Sequence, residues 1–223
     1  MERSAAAQAP RVRRPWSALV VAAFGAVVAA ASSVLAHSGR VGSVERAAFE
    51  AVNGLPNVLE WPMWSLQLVG LLLTPLVVVL VGLVLRKWRL AVAALLLIPL
   101  KLAVEREVLK QLVDRQRPGL TEVDPILRGV PASGNSFPSG HAIIAFGLAT
   151  LLAPYLSRRW QVVVWTLAVL NGVARVYLGA HNPLDIIGGA GVGVAIGGAL
   201  TFICGVHPRA RRGQELRADP RGT

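Results

Sequence analysis

Cysteine is almost missing from this chain of 223 residues: Cys204 is the only one, so no intrachain disulfide can staple the fold. Charge is scarce as well, at 16%, and its acidic side is the thinner, with 12 Asp and Glu against 23 Lys and Arg. So little charge, with 54% hydrophobic residues and a mean hydropathy of +0.55, argues against a small soluble domain. No stripe of basic residues interleaved with aromatics is present, so the net charge of +11 is not read as a nucleic-acid surface. Internal repeats and low-complexity tracts are absent too.

What the chain does have is long apolar runs. A hydrocarbon core of about 30 Å takes on the order of 20 apolar residues per helix. Six segments fit: Trp16 to Ala36, Trp64 to Leu85, Leu90 to about Lys110, Pro138 to Leu156, Trp160 to Leu178, and Pro183 to Cys204. The expected fold class is therefore all-α, a polytopic membrane bundle of six transmembrane helices in one domain, residues 16–204. Between the first two runs, Val44 to Leu59 mixes apolar residues with Glu45, Arg46, Glu50 and Asn53, as a short interfacial helix would. Trp61 and Trp64 fall at one headgroup level, and Trp16, Trp88 and Trp160 at the other.

The basic residues cluster on alternate connections. Arg3, Arg11, Arg13 and Arg14 precede the first run; Arg86, Lys87 and Arg89 separate the second and third; Arg158 and Arg159 separate the fourth and fifth; Arg209, Arg211, Arg212, Arg217 and Arg221 follow the sixth. The positive-inside rule makes that side cytoplasmic, with both termini inside and residues 37–63, 111–137 and 179–182 outside. Residues 1–15 read as a basic cytoplasmic N-terminus and 205–223 as a basic, disordered tail. The first apolar run, at about 20 residues, exceeds the roughly 7–15 of a signal h-region, so an uncleaved helix is expected.

The polar residues that remain gather at the outer ends of the apolar runs. Lys101, Glu105, Arg106, Glu107, Lys110 and Asp114 crowd the outer half of the third, where Lys101 with Glu105 and Lys110 with Asp114 have the i,i+4 spacing of neutralising pairs. Lys110 and Arg117 are seven positions apart. That is about two helical turns, and an Arg fork beside a mobile Lys suits a tetrahedral oxyanion. Ser136-Phe137-Pro138-Ser139-Gly140-His141 leads into the fourth run. Serine is a good N-cap, and a helix beginning there aims free amides and its positive dipole end at an anion, with Gly140 leaving room and His141 near enough to donate a proton. Arg175, His181 and Asn182-Pro183-Leu184-Asp185 fall at the same outer end. Asn182 is placed to cap a helix starting at Pro183, and Asp185 in its first turn can accept the proton on one nitrogen of His181, leaving the other free to attack. Two of the four histidines thus sit beside phosphate-binding cations, while His37 and His207 do not.

In this order and spacing, the three pieces closely resemble the type 2 phosphatidic acid phosphatase superfamily: Lys110, six residues, Arg117-Pro118; Pro138-Ser139-Gly140-His141; Arg175, five residues, His181, three residues, Asp185. One departure is Ala174, where many relatives carry Ser before the Arg. The resemblance spans about residues 60–204 and implies roles. His181 is the nucleophile of a phosphohistidine intermediate, Asp185 orients it, and His141 protonates the leaving group and then helps to activate water. Lys110, Arg117, Arg175, Ser139 and the Gly140 amide hold the phosphoryl oxygens. No cofactor and no metal are expected, since fixed cations supply the electrostatics and no separate carboxylate cluster offers a metal site.

The expected function is an integral membrane lipid phosphatase acting at the extracytoplasmic face of the cell membrane, with a polyprenyl diphosphate of cell-envelope carrier recycling as the favoured substrate. Phosphatidic acid, phosphatidylglycerol phosphate and transfer to an acceptor other than water are the alternatives. A transporter or scaffold with a degenerate site is the non-enzymatic one, and a vanadate haloperoxidase is disfavoured because nothing organises a halide pocket. The expected partners are the lipid phosphate and the bilayer, with no nucleic acid and the oligomeric state left open. Gly189, Gly193 and Gly197 recur every four residues in the last run, which is read as a close contact with a neighbouring helix of the same bundle.

Overall fold

The apolar runs become helices, broken where the sequence carries Gly or Pro near the polar face. The computed structural model describes residues 15–205; the expectations for the basic N-terminus and for the tail with His207 concern residues that lie almost wholly outside that range. In chain order the helices are α1 (Trp16–Ala36), α2 (Ser43–Asn53), α3 (Glu60–Gln67), α4 (Thr74–Val84), α5 (Trp88–Leu102), α6 (Lys110–Leu112), α7 (Pro118–Thr121), α8 (Gly140–Leu152), α9 (Arg158–Tyr177) and α10 (Pro183–Cys204). Short 3-10 turns at Asn57–Leu59, Leu68–Gly70 and Ala153–Tyr155 and a π-helical stretch at Ala103–Leu109 complete them. Among the described residues there is no strand, only an isolated antiparallel bridge between Gln116 and Asn135.

The first and last helices keep the bounds expected for them, and α2 lies where the interfacial helix was placed. The second run does not form the single helix expected over 64–85. It is α3, a 3-10 turn and α4, with a bend of 60° at the break. Two signals explain it. Gly70 abuts the first turn of α8 so closely that a Cβ there would lie 2.7 Å from His141 Cβ, and Pro75 opens α4, where its missing N–H costs nothing. By length and apolarity α1 and α10 suffice to cross a membrane, and the bent pair is a third candidate.

α10 is the central post. Leu90, Ala94 and Leu97 of α5, Ile143, Ile144, Leu148 and Leu151 of α8, and Val192, Ile196 and Leu200 of α10 form one buried cluster. The expected Gly189, Gly193 and Gly197 face is indeed an internal contact. A Cβ on these residues would come within 2.5 Å of Ser139 O, 2.4 Å of Ile143 O and 2.8 Å of Gly147 O, so α8 lies directly against α10's backbone. A second glycine face receives α1, since Cβ atoms on Gly191 and Gly25 would meet Ala29 N at 2.6 Å and Ala195 N at 2.5 Å. Small residues give van der Waals contact in a setting where lipid removes the hydrophobic drive between helices.

The outer surface is apolar in turn: Val20, Phe24, Val27 and Val34 of α1, Leu80 and Val84 of α4, Val162 of α9 and Ile203 of α10 are all exposed. Patches of this extent on a monomer mark contact with another apolar phase. Trp16, Trp61, Trp88 and Trp160 are exposed as well.

At the polar end, the connection from α6 to α8 is tied down at several points. Arg128 donates to Tyr177 O at 2.6 Å, Asn53 O at 3.0 Å and Asn57 Oδ1 at 3.1 Å, and its guanidinium lies 3.9 Å over the Tyr177 ring. Asn53 pairs with the backbone of Ile126 through both its amide nitrogen and its oxygen, at 2.9 Å each. These bonds fasten residues 126–128 to α2 and to the C-terminal end of α9.

Candidate active site

Every residue singled out by the three motifs falls on the same polar end of the bundle, on or beside a helix terminus. α8 starts at Gly140, two positions later than the run expected from Pro138. Ser139 occupies its N-cap position in extended conformation but makes no capping bond; its Oγ is buried without a hydrogen-bond partner. Buried hydroxyls are normally satisfied, so this one is an acceptor and donor held in reserve. The Ser139 N–H donates to Asp185 O at 3.0 Å, which stitches this loop to the first turn of α10.

α10 begins differently. Asn182 is its N-cap residue, and the Asp185 carboxylate folds back to accept the Asn182 N–H at 2.8 Å through Oδ2. The same Oδ2 accepts the Ser136 hydroxyl, and Oδ1 accepts Arg115 Nη1 at 3.2 Å. The direct Asp185–His181 hydrogen bond expected from the sequence is not formed. His181 Nδ1 lies 3.7 Å from Asp185 Oδ2 and 3.2 Å from Ser136 Oγ, because the serine fills the space between them. Ser136 is placed there by its N–H, which donates to Arg115 O at 2.7 Å. Arg115 is fully buried and reaches a third partner, Glu45 Oε2 of α2, at 2.5 Å, while Glu45 Oε1 accepts the Leu184 N–H at 2.8 Å.

The cations surround these groups. Arg117 donates to Ala180 O at 2.9 Å, one residue before His181. Arg175, on the last turn of α9, donates through Nη1 to Gln67 Oε1, and its Nε is buried with no partner. Lys110 pairs with Glu105 Oε1 at 2.9 Å and not with Asp114, the i,i+4 partner expected for it; Asp114 instead accepts Gln116 Nε2 at 3.2 Å. The helix ends at Leu112, short of Asp114, and the π-helical stretch before it brings Glu105 within reach. Positions five apart on an α-helix point about 140° away from each other, and the wider π turn brings them back to one side. Lys101 pairs with Glu105 as expected. This carboxylate also lies against Gly140, where a Cβ would be 2.8 Å from both of its oxygens, so a side chain at 140 has no room.

Burial, and then the positive charges of Arg175 and Arg117, hold the His181 ring down to about pKa 4 from its ordinary 6.5, against the pull of Asp185. The imidazole is therefore neutral near pH 7, with a lone pair available. Arg117 is lowered from its usual value by burial, with Asp185 and Glu105 opposing.

Ser136, Arg115, Glu45, Glu105 and Gln67 are the groups of this site that sequence reasoning left without a place in it. Glu105 had been paired with Lys101 only, and Ser136 was quoted only as part of the segment leading into α8. Ser136 and Arg115 stand two residues from matched positions, Pro138 and Arg117, and their chemistry was readable. Glu45 and Gln67 come from distant helices and carried no signal.

A family model described as the PAP2 superfamily matches residues 86–205, more than half of the chain, and the chain belongs to that superfamily. Among curated relatives, a lipid A 4'-phosphatase of Bacteroides thetaiotaomicron is 33% identical over 127 residues, 52% of this chain and 55% of that protein. An undecaprenyl-diphosphatase of Sulfolobus acidocaldarius is 46% identical over 56 residues, 24% of this chain and 26% of its own length. The chain thus spans about half or less of the curated relatives it matches. The crystal structure of a transmembrane PAP2-type phosphatidylglycerolphosphate phosphatase from Bacillus subtilis superimposes with a TM-score of 0.62 at 24% identity, covering 85% of this chain and 96% of that one. The fold is that of the membrane phosphatases of this superfamily.

Proposed function

We propose that this protein is an integral membrane phosphatase that hydrolyses a lipid phosphate through a phosphohistidine, with a polyprenyl diphosphate as substrate. The observation that carries the reading is a neutral, buried His181, tied to Asp185 through Ser136, at the same polar end of the bundle as the unpartnered Ser139 hydroxyl. In the first step His181 Nε2 attacks phosphorus, and the phosphorus–oxygen bond to the leaving group breaks with its electron pair on that oxygen, which takes a proton from His141. In the second step water gives a proton to His141 and attacks phosphorus, and the nitrogen–phosphorus pair returns to His181. Lys110, Arg117, Arg175, Ser139 and the Gly140 amide stabilise the equatorial oxygens, so fixed positive charge does the work and no metal is needed.

A lipid substrate is supported by the apolar flanks of the bundle, which let a tail remain in the bilayer while its phosphate enters at the polar end. The six crossings are proposed from the apolar runs, and the cytoplasmic termini and extracytoplasmic site from the placement of the basic residues. Dual reporter fusions at each connection test that topology. A glycolipid phosphate is the second reading, favoured by the lipid A 4'-phosphatase relative.

The test is phosphate release by detergent-purified protein from polyprenyl diphosphates, phosphatidic acid, phosphatidylglycerol phosphate and lipid A, with a chelator present and His181→Ala as control. Selective release from one class names the substrate. Retained turnover in His181→Ala would sink the mechanism, and silence across the panel would point to a transferase that lacks its acceptor.

A further inference from the structure

We infer that Ser136 is a positioning residue, a hydroxyl relay through which Asp185 orients His181, and that Arg115 and Glu45 hold the carboxylate end of that relay. The inference rests on the reading of His181 as nucleophile and goes beyond it by fixing which nitrogen carries the proton and what keeps it there.

Proton counting decides the arrangement. Asp185 accepts only: its Oδ1 takes Arg115 Nη1 at 3.2 Å and its Oδ2 takes the Asn182 N–H at 2.8 Å as well as the Ser136 hydroxyl. A serine has one hydroxyl hydrogen. Having given it to Asp185, Ser136 Oγ can only accept from its other neighbour, His181 Nδ1 at 3.2 Å. Nδ1 therefore bears the hydrogen and Nε2 has the free lone pair. The direct route, Nδ1 to Oδ2, is 3.7 Å and outside hydrogen-bonding range.

The relay needs no proton to leave the ring. When Nε2 forms its bond to phosphorus the imidazole becomes cationic with Nδ1–H intact, and the polarised chain from Nδ1–H through Oγ–H to the carboxylate spreads that charge. Arg115 and Glu45 keep the chain in register. Arg115 Nη2 meets Glu45 Oε2 at 2.5 Å, and Glu45 Oε1 accepts Leu184 N–H at 2.8 Å, so one carboxylate from α2 grips both the arginine and the first turn of α10. The interfacial helix thereby acquires a task in the reaction: it positions Asp185 from the far side.

The experiment compares kcat and KM of Ser136→Ala with those of the wild-type protein, and of His181→Ala beside it. Outer-sphere orienting partners typically cost about 10–100-fold when removed, and Ser136→Ala is expected to lose that much in kcat with KM within about threefold, since no phosphate contact is touched. Glu45→Gln, at one remove, is expected to lose less in the same direction. A Ser136→Ala protein with full kcat, beside an inactive His181→Ala, overturns the relay and leaves the nucleophile standing. Turnover in His181→Ala overturns the nucleophile itself. Should Ser136→Ala not fold, 15N NMR of histidine-labelled wild-type protein decides: His181, assigned by its loss in His181→Ala, must carry its proton on Nδ1 at neutral pH, and a ring protonated on Nε2 instead overturns the relay.

Discussion

The starts of α8 and α10 share their ingredients, a proline and a small polar cap, with Pro138 before the Ser139 cap in one and Pro183 after the Asn182 cap in the other, and yet they are finished in opposite ways. α10 closes on itself, because Asp185 of its first turn accepts the Asn182 N–H and every oxygen of that carboxylate is engaged. α8 has no acidic residue of its own in its first turn and a cap serine with no partner, and the carboxylate beside it, Glu105, is tied to Lys101 and Lys110. Both termini carry the partial positive charge of a helix start, but in α10 the Asn182 and Leu184 N–H groups are already taken by Asp185 and Glu45. One has been given an anion in its own first turn and becomes a rigid mount for a histidine; the other has its nearest carboxylate held by two lysines and suits an anion from outside. The mount has two carboxylates on its first-turn amides, Asp185 from within and Glu45 from α2, and the receptor has none accepting there.

Substitutions that break the contrast are expected to rank by how close they fall to it. His181→Ala removes the group that the α10 mount holds, and phosphate release should fall by at least about a thousandfold, to the background left by the anion site alone. Asp185→Asn removes the internal anion. It should cost nearly as much activity and also lower Tm, because Arg115 keeps Glu45 but loses the charge of its other buried partner, a change worth about 1.5–3 kcal/mol; thermal unfolding in detergent reads the second effect. Ser139→Ala should separate function from stability. Its hydroxyl has no partner to lose, so Tm should hold, while vanadate inhibition should weaken by about tenfold, the value of one hydrogen bond to a charged group.

Acid should act through the mount. His181 titrates near 4 in the folded protein against 6.5 ordinarily, so the unfolded chain binds the extra proton first. The stability this neutral ring contributes is complete above pH 6.5 and is lost as pH falls from 6.5 through 4. Urea unfolding of wild type and His181→Ala across that window should converge toward its acid end. The smallest expected effects lie away from both termini: Gly193→Ala, which drives a methyl to 2.4 Å from Ile143 O, should cost about 1–3 kcal/mol and loosen the α8–α10 contact, whereas Gly42→Ala has open space and should cost only the N-cap preference of α2, about 0.5 kcal/mol.

Much of this was legible in the residues alone. The limits of α1 and α10 follow from apolar runs bounded by polar or helix-starting residues, and the glycines at four-residue spacing announced a tight helix contact before any neighbour was known. The motif residues carry their chemistry in their type and order. What escaped was pairing across the fold. Lys110 looked suited to Asp114 because the helix was assumed to continue past Leu112, where it ends, and His181 looked suited to Asp185 because a spacing of four residues says nothing of a serine arriving from residue 136. The broken second run had its Gly70 and Pro75 in view, but its bend depends on the pressure of α8 against Gly70, a contact between residues far apart in the chain.

The sequence by itself determined the solvent, the helical class and the chemical groups of the site, since hydropathy, helix period and side-chain chemistry are properties of single residues and their near neighbours. Only the tertiary structure decided which helix lies at the centre, which cation meets which carboxylate and how His181 is held. Those are questions of distance between segments tens of residues apart, and a hydrogen bond or ion pair exists only where packing brings its two ends within about 3 Å.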